Sequence, residues 1–126
     1  MHAAIRRLAA HPEYWFEEGC HIAEVSNHDD DPDASIVRAR VPAGGTTRWH
    51  VLHGIAERYL VVSGRGRVEV GDLAPAEVGA GDVVLIPPGV RQRITALGAD
   101  DLVFFAVCTP RFRVAAYADD EPAPAG

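Results

Sequence analysis

Alternation of apolar and polar residues runs through most of the chain and predicts short β-strands. The clearest case is the segment 35–41, where small apolar residues occupy one face and arginines the other: Val37, Ala39 and Val41 against Arg38 and Arg40. Successive side chains of a strand point to opposite faces, so the apolar set is predicted to face a core and the arginines to face outward.

Similar segments recur at regular spacing and are separated by glycine-containing turns. In the segment 65–70, Val68 and Val70 are predicted to point inward and Arg67 and Glu69 outward. The other predicted strands are Cys20–Ser26, 57–63, 81–87, Arg91–Leu97 and Leu102–Thr109, with one more short strand in the turn-rich stretch 72–79. Eight to ten short strands with almost no helix predict an all-β sandwich or barrel.

The two ends of the chain carry different patterns. Residues 3–10 are predicted to form a short helix that stops before Pro12. The aromatic run 14–16 falls outside any obvious strand and is interpreted as a lid over one end of the barrel, with a ligand-facing wall as the alternative. We therefore divide the single domain into residues 1–34, with the helix, lid and first strand, a barrel core at 35–114, and a tail at 115–126. Disorder is expected from Asp119 onward.

Two adjacent strands within residues 44–64 carry an imidazole and a carboxylate. The spacing resembles the first motif of the cupin superfamily, G-x5-H-x-H-x4-E-x6-G. Gly44, His50, Glu57 and Gly64 match this motif, but Leu52 stands at its second histidine.

Residues 81–96 resemble the second cupin motif, G-x5-P-x-G-x2-H-x3-N. The glycines and the proline match at Gly81, Pro87 and Gly89. Gln92 occupies the histidine position and Ala96 the asparagine position. The two motifs, with the strands around them, cover roughly residues 36 to 109, and the resemblance implies a small jelly-roll cupin with a degenerate metal-binding motif.

In typical cupins the motif residues hold one divalent metal ion inside the barrel. The resemblance therefore implies a depleted site of His50, Glu57 and Gln92 for manganese, iron, nickel or zinc. His53 is a weaker candidate, because it alternates with Leu52 and points outward unless a bulge follows His50. The residues expected to line the cavity are Leu52, Tyr59 and Ile94.

Two functions remain open at this point. The first is a metal-dependent cupin that acts on or binds a small molecule, with dioxygenase, isomerase or decarboxylase chemistry among the reactions the family performs. The second is a metal-free, non-enzymatic cupin that binds a small ligand in a binding or regulatory role. A shared fold does not decide between them.

The amino-acid composition disfavours some classes of partner and of chemistry. The formal net charge is −6, which disfavours a nucleic-acid partner. Every basic residue is an arginine, so Schiff-base chemistry on a lysine is excluded. We expect no signal peptide and no membrane span. Cys20 and Cys108 show no metal or redox spacing, which favours a reduced, cytoplasmic protein. Cupins of this size usually pair as dimers through edge strands, so the resemblance implies a homodimer, and the outward arginines lie on long strands that could otherwise pair freely.

Overall fold

The computed structural model describes residues 1–122, and these residues form two packed β-sheets. The strands are β1 (Tyr14–Phe16), β2 (Cys20–Ser26), β3 (Ser35–Val41), β4 (His50–Leu52), β5 (Ala56–Ser63), β6 (Arg65–Val70), β7 (Ala76–Val78), β8 (Val83–Ile86), β9 (Gln92–Leu97), β10 (Leu102–Thr109) and β11 (Tyr117–Asp119). The predicted all-β jelly roll is confirmed.

The sheets have six and five strands, and every pairing is antiparallel. The larger sheet has the order β1-β2-β3-β10-β5-β8, and the smaller has the order β11-β4-β9-β6-β7. Strands β4 and β5 are consecutive in the chain but lie in different sheets, so His50 and Glu57 reach the interior from opposite layers. This crossing places both motif residues between the sheets.

The core follows the predicted alternation. Val37, Ala39 and Val41 are buried, as are Val61, Val70 and Phe104, whereas Val68 is partly buried against them. Arg38 and Arg40 lie on the outer face, where both pair with Glu13 at 3.0 and 2.9 Å. Because side chains alternate with a period of two along each strand, the apolar set of each sheet faces the other sheet and forms the core.

The N-terminal prediction was wrong in two respects. Residues 3–10 form only a 3₁₀ turn at Leu8–Ala10, none of its three residues is buried, and Ile5 is 78% exposed. A helix this short needs a buried face to be stable, and this one has none. The aromatic run is a strand, because Tyr14 and Phe16 pair with Ile22 and Cys20 across a tight hairpin.

The C-terminal segment is likewise more structured than predicted. Strand β11 pairs with β4, the amide of Asp120 donates to the carbonyl of Trp49 at 2.8 Å, and Glu121 accepts from the Trp49 amide at 2.6 Å. Disorder was therefore wrong for residues 119–122, and residues 123–126 lie outside the described residues. The division at 34 and 114 stays a prediction.

Residues 35–109 contain no helix. A second 3₁₀ turn, at Val114–Ala116, leads into β11. Within residues 1–122, no helix has the length and apolar character needed to span a membrane.

Candidate functional site

A pocket lies on the inner face of the six-stranded sheet and is closed from the other side by Leu52 and Tyr117. Its volume is about 50 Å³. The space is narrow, well below the roughly 300–1,000 Å³ of pockets that hold drug-sized ligands. The polar lining residues are Glu18, Glu24, Glu57, Tyr59, Cys108 and Tyr117.

Glu57 is the most deeply placed carboxyl of this pocket, with 8% of its surface exposed. It follows the turn after β4, and its strand partners are Cys108 on β10 and Ile86 on β8. Gln92 Nε2 donates to Glu57 Oε1 at 2.8 Å, and the hydroxyl of Tyr59 donates to Gln92 Oε1 at 2.6 Å. These bonds fix the orientation of the glutamine amide and hold one oxygen of Glu57 in place.

The other oxygen of Glu57 is less well satisfied. Oε2 has a thiol contact to Cys108 Sγ at 3.8 Å. Burial and the nearby negative charge of Glu18 raise the pKa of Glu57 to about 7, and the hydrogen bond from Gln92 only partly opposes them. Its protonated and ionised forms are therefore both populated near neutral pH, as general acid–base catalysis requires.

His50 forms a second polar pair beside the pocket. Its Nδ1 lies 2.7 Å from the carbonyl oxygen of Arg48, which can only accept, so Nδ1 carries a proton. Its Nε2 lies 2.6 Å from Glu18 Oε1, although the carboxylate is off the axis of an aligned hydrogen bond. Two lone pairs would repel at this distance, so the pair holds a proton on the imidazole or on the carboxyl.

The environment of His50 favours its charged form. Burial disfavours the imidazolium, but the Glu18 carboxylate and the Arg48 carbonyl outweigh it and raise the pKa of His50. The ring also stacks on Tyr117, with centroids 5.3 Å apart and planes 22° apart. The His50 ring is thereby held at both of its nitrogens and on the face that stacks on Tyr117, and the residue is 1% exposed.

The structure distributes the predicted site residues over three environments. Glu57, Tyr59 and Leu52 line the pocket. His50 and Gln92 are paired across β4 and β9. Ile94 is buried in the hydrophobic core at 1% exposure and is not among the pocket-lining residues, so a cavity-lining role for it stays a prediction. His53 is exposed, which agrees with the alternation from Leu52.

These side chains do not offer a ready set of metal ligands. Gln92 turns its amide nitrogen, a donor, toward Glu57, and its oxygen is already bound by the hydroxyl of Tyr59. The second nitrogen of His50 faces Glu18. Within residues 1–122, no three histidine, cysteine or acidic residues are grouped closely enough to hold an ion. The His50, Glu57 and Gln92 ligand set therefore stays a prediction that needs a rearranged glutamine.

Glu18 was not among the predicted site residues, whereas Phe16, which lines the pocket, belongs to the aromatic run for which a ligand-facing wall was the alternative prediction. Glu18 lies in the β1–β2 hairpin turn, which closes with the Gly19 amide donating to the Phe16 carbonyl at 2.9 Å. Gly19 has a φ of 108°, a conformation that favours glycine. Three aromatic β-formers followed three positions later by glycine were the signal for this hairpin. Tyr117 comes from the predicted tail at 115–126, whereas Phe112 falls within the predicted barrel core at 35–114.

Two packed antiparallel sheets with a pocket between them define a jelly-roll fold. The family model described as cupin domain matches residues 37–108. The chain therefore belongs to the cupin family. A search of curated proteins gave no significant match.

Many solved structures share this fold. A variant of Streptomyces Pac13 with uridine superposes with a TM-score of 0.79 at 19% identity, covering 96% of this chain and 93% of that chain. Another Pac13 structure, described as a unique nucleoside dehydratase, gives 0.78 at 18% identity and covers 95% and 92%. A predicted oxalate decarboxylase from Thermotoga maritima gives 0.76 at 20% identity and covers 85% and 99%. At such identities the similarity shows the fold alone.

Proposed function

We propose that this cupin binds a small polar organic molecule between its sheets and exchanges protons with it through Glu57, as a general acid–base site that needs no metal. The observation that carries the proposal is the carboxyl of Glu57 itself. It is nine-tenths buried, it lines the pocket, and one of its oxygens has no partner better than a thiol at 3.8 Å. A buried carboxyl in this state is costly for folding and useful for proton transfer.

The surrounding residues have distinct roles in this scheme. Glu57 removes a proton from the bound molecule as a carboxylate and returns it as a carboxylic acid. Gln92 and Tyr59 are positioning residues, because they hold one oxygen of Glu57 and leave the other facing the pocket. The Glu18–His50 pair carries a second transferable proton at the pocket wall. Two proton-exchanging groups in different environments are a recurring arrangement for assigning acid and base.

The reactions that suit this arrangement move a proton and need no redox partner. Isomerisation and elimination of water both begin with proton abstraction, and the second also needs an acid to protonate the departing hydroxyl. That a cupin fold hosts dehydration is supported by the Pac13 structure described as a nucleoside dehydratase. Uridine, present with a Pac13 variant, is accordingly one reasonable probe.

Proton exchange in heavy water tests this proposal without knowledge of the natural substrate. Metal-depleted protein would be incubated in D₂O with uridine and a panel of small hydroxy and amino compounds, followed by NMR for deuterium incorporation and mass spectrometry for loss of water. We expect exchange or turnover that survives chelation and falls by roughly 10²-fold or more in Glu57→Gln, the scale of a lost general base. Binding with no exchange in any compound would instead support the non-enzymatic ligand-binding role.

A second candidate is the metal-dependent cupin with His50, Glu57 and Gln92 as ligands. It is favoured by one observation, the buried Nε2 of His50, which has no aligned hydrogen-bond partner among residues 1–122. Elemental analysis of untagged protein, with and without added manganese, iron, nickel or zinc, tests it. The metal candidate requires binding that His50→Ala abolishes, Leu52→His strengthens and His53→Ala leaves unchanged. Absence of metal from both the parent protein and Leu52→His would remove it.

A further inference from the structure

The acidic residues are the only aspartate, glutamate, lysine or arginine side chains among the residues that line the pocket in the described part of the chain. Glu18, Glu24 and Glu57 contribute to its wall, and no arginine does so within residues 1–122. The chain has twelve arginines, and those nearest in sequence to the site, such as Arg48 and Arg58, direct their guanidinium groups to Asp119 and Thr109. His50 balances the charge of Glu18, and Glu24 and Glu57 leave the pocket with a net negative field that attracts cations and repels anions.

Aromatic rings form much of the remaining wall. Phe16 meets Tyr117 edge to face with centroids 5.3 Å apart, and it meets Phe112 in the same manner at 6.4 Å. On the sheet side, Tyr59 and Phe104 lie 4.2 Å apart. The faces of such rings attract organic cations, with about 0.5–2 kcal/mol for each well-placed contact. This wall distinguishes the pocket from a simple cluster of carboxylates.

Two deeply buried polar groups at this wall are incompletely satisfied. Oε2 of Glu57, in a residue 8% exposed, meets only the Cys108 thiol. Nε2 of His50, in a residue 1% exposed, lacks an aligned partner among the described residues, and the carboxylate beside it also belongs to the pocket lining. Burying polar groups without partners is costly. The free oxygen of Glu57 therefore points to a ligand that supplies a donor, whereas a protonated Nε2 of His50 is balanced by the Glu18 carboxylate.

We infer that the molecule bound in this pocket carries an ammonium group on a small organic body. Its N–H donors would bind the carboxylates of Glu57 and Glu18, and its carbon atoms would pack on Phe16, Phe112 and Tyr117. The Glu24 carboxylate, which accepts from Tyr14 and Asn27, adds negative charge to the wall. The inference rests on the proposed function only in taking this pocket as the ligand site. It specifies the substrate class that such an acid–base site would receive.

Three three-carbon probes that differ only in their polar group test the charge preference. Propylammonium, 1-propanol and propionate would be titrated into ¹⁵N-labelled protein, and the affinity would be taken from amide shifts of pocket residues. We expect propylammonium to bind at least tenfold more tightly than 1-propanol, and propionate not to bind. Equal affinity for the alcohol, tighter binding of propionate, or no response of the pocket to propylammonium would overturn the inference.

Variants that remove one charge at nearly constant shape locate the interaction. Glu24→Gln is expected to weaken propylammonium by about threefold to tenfold, since it removes one partly exposed carboxylate, and Glu18→Gln by more. Neither is expected to change the affinity for 1-propanol. Glu77→Gln is the matched control, because this exposed residue pairs with Arg65 on β6, outside the pocket. Unchanged ammonium affinity in both pocket variants, with their folding confirmed by thermal unfolding, would contradict the inference.

These outcomes are separate from those of the proposed function. Proton exchange with neutral compounds that depends on Glu57, together with equal binding of alcohol and ammonium, would remove the ammonium inference and keep the acid–base site. Selective ammonium binding without any proton exchange would keep the inference and remove catalysis.

Discussion

Glu57 is the residue whose burial costs the site most folding stability, and it is also the residue proposed to transfer protons. Its carboxyl is withdrawn from water and lies close to Glu18, and both effects disfavour the ionised form. Contacts from Gln92 and Cys108 replace part of the hydrogen bonding with water that the carboxyl loses on burial. A core position of this kind is retained at the expense of stability, as is common where a fold carries a reactive group.

Replacing Glu57 by glutamine is expected to stabilise the protein above neutral pH. The pKa of Glu57 rises from an ordinary 4.5 to about 7 on folding, so the folded state binds its proton more tightly and the unfolding free energy falls as pH rises through this interval. Glu57→Gln removes that fall. Relative to the parent protein, its gain should be near zero at pH 4.5 and about 1–3 kcal/mol at pH 8.

Urea unfolding at the two pH values measures the difference. Glu77→Gln serves as the control, because its carboxyl is 65% exposed and its removal should change the parent's pH dependence little. A Glu57→Gln variant that is equally or less stable than the parent at pH 8 would contradict the assignment of a raised pKa.

Alternation was sufficient to predict the strands that build the barrel, and hairpin geometry explains what it missed. Residues 35–41 form a strand with the predicted faces, residues 102–109 form a predicted strand, and the outward position of His53 followed from Leu52 by the same rule. Glu18 could not be assigned in this way, because its direction is set by a turn rather than by a strand period. Its contact with His50 joins residues 32 positions apart, which local patterns do not report.

The β5–β6 turn is the element where the first motif is most constrained. Gly64 has a φ of 81°, and a Cβ at this position would lie 2.4 Å from the carbonyl oxygen of Asp101. Gly54, which precedes β5, has a similar φ of 73° but open space around the same position. A comparison of substitutions at these two glycines therefore separates the cost of the left-handed backbone conformation from the cost of a steric clash.

Alanine substitutions at these glycines are expected to differ in cost. Gly54→Ala should lose about 1–2 kcal/mol of unfolding free energy from the left-handed conformation alone. Gly64→Ala should lose about 3 kcal/mol or more, because the backbone of Asp101 must also move. Equal losses in chemical denaturation would show that the close approach to Asp101 is absent.

At the scale of the whole molecule, the outer face of the six-stranded sheet is more apolar than a free surface requires. On adjacent strands β5 and β8, Leu60 and Val62 are 44% and 47% exposed, and Val83 and Leu85 are 56% and 66% exposed. Strand β8 is also an edge of its sheet. Contiguous apolar surface beside an open edge is typical of an interface.

This face is predicted to form a symmetric homodimer. Light scattering is expected to give twice the 13.5 kDa mass of the chain. Leu85→Asp should produce a monomer, because it places a charge in the buried interface. Leu73→Asp is the control, since Leu73 is 70% exposed in the turn before β7. A parent protein that remains monomeric at working concentrations would contradict the prediction.

Glu57 is proposed to be a buried acid–base group that acts without a metal ion. The most direct test is a ¹³C NMR titration of its side-chain carboxyl in metal-depleted protein, assigned by comparison with Glu57→Gln. We predict a midpoint at about 7, because burial and Glu18 raise the pKa of Glu57. A midpoint near the ordinary value of 4.5 would show that Glu57 is fully ionised at neutral pH and would contradict the account.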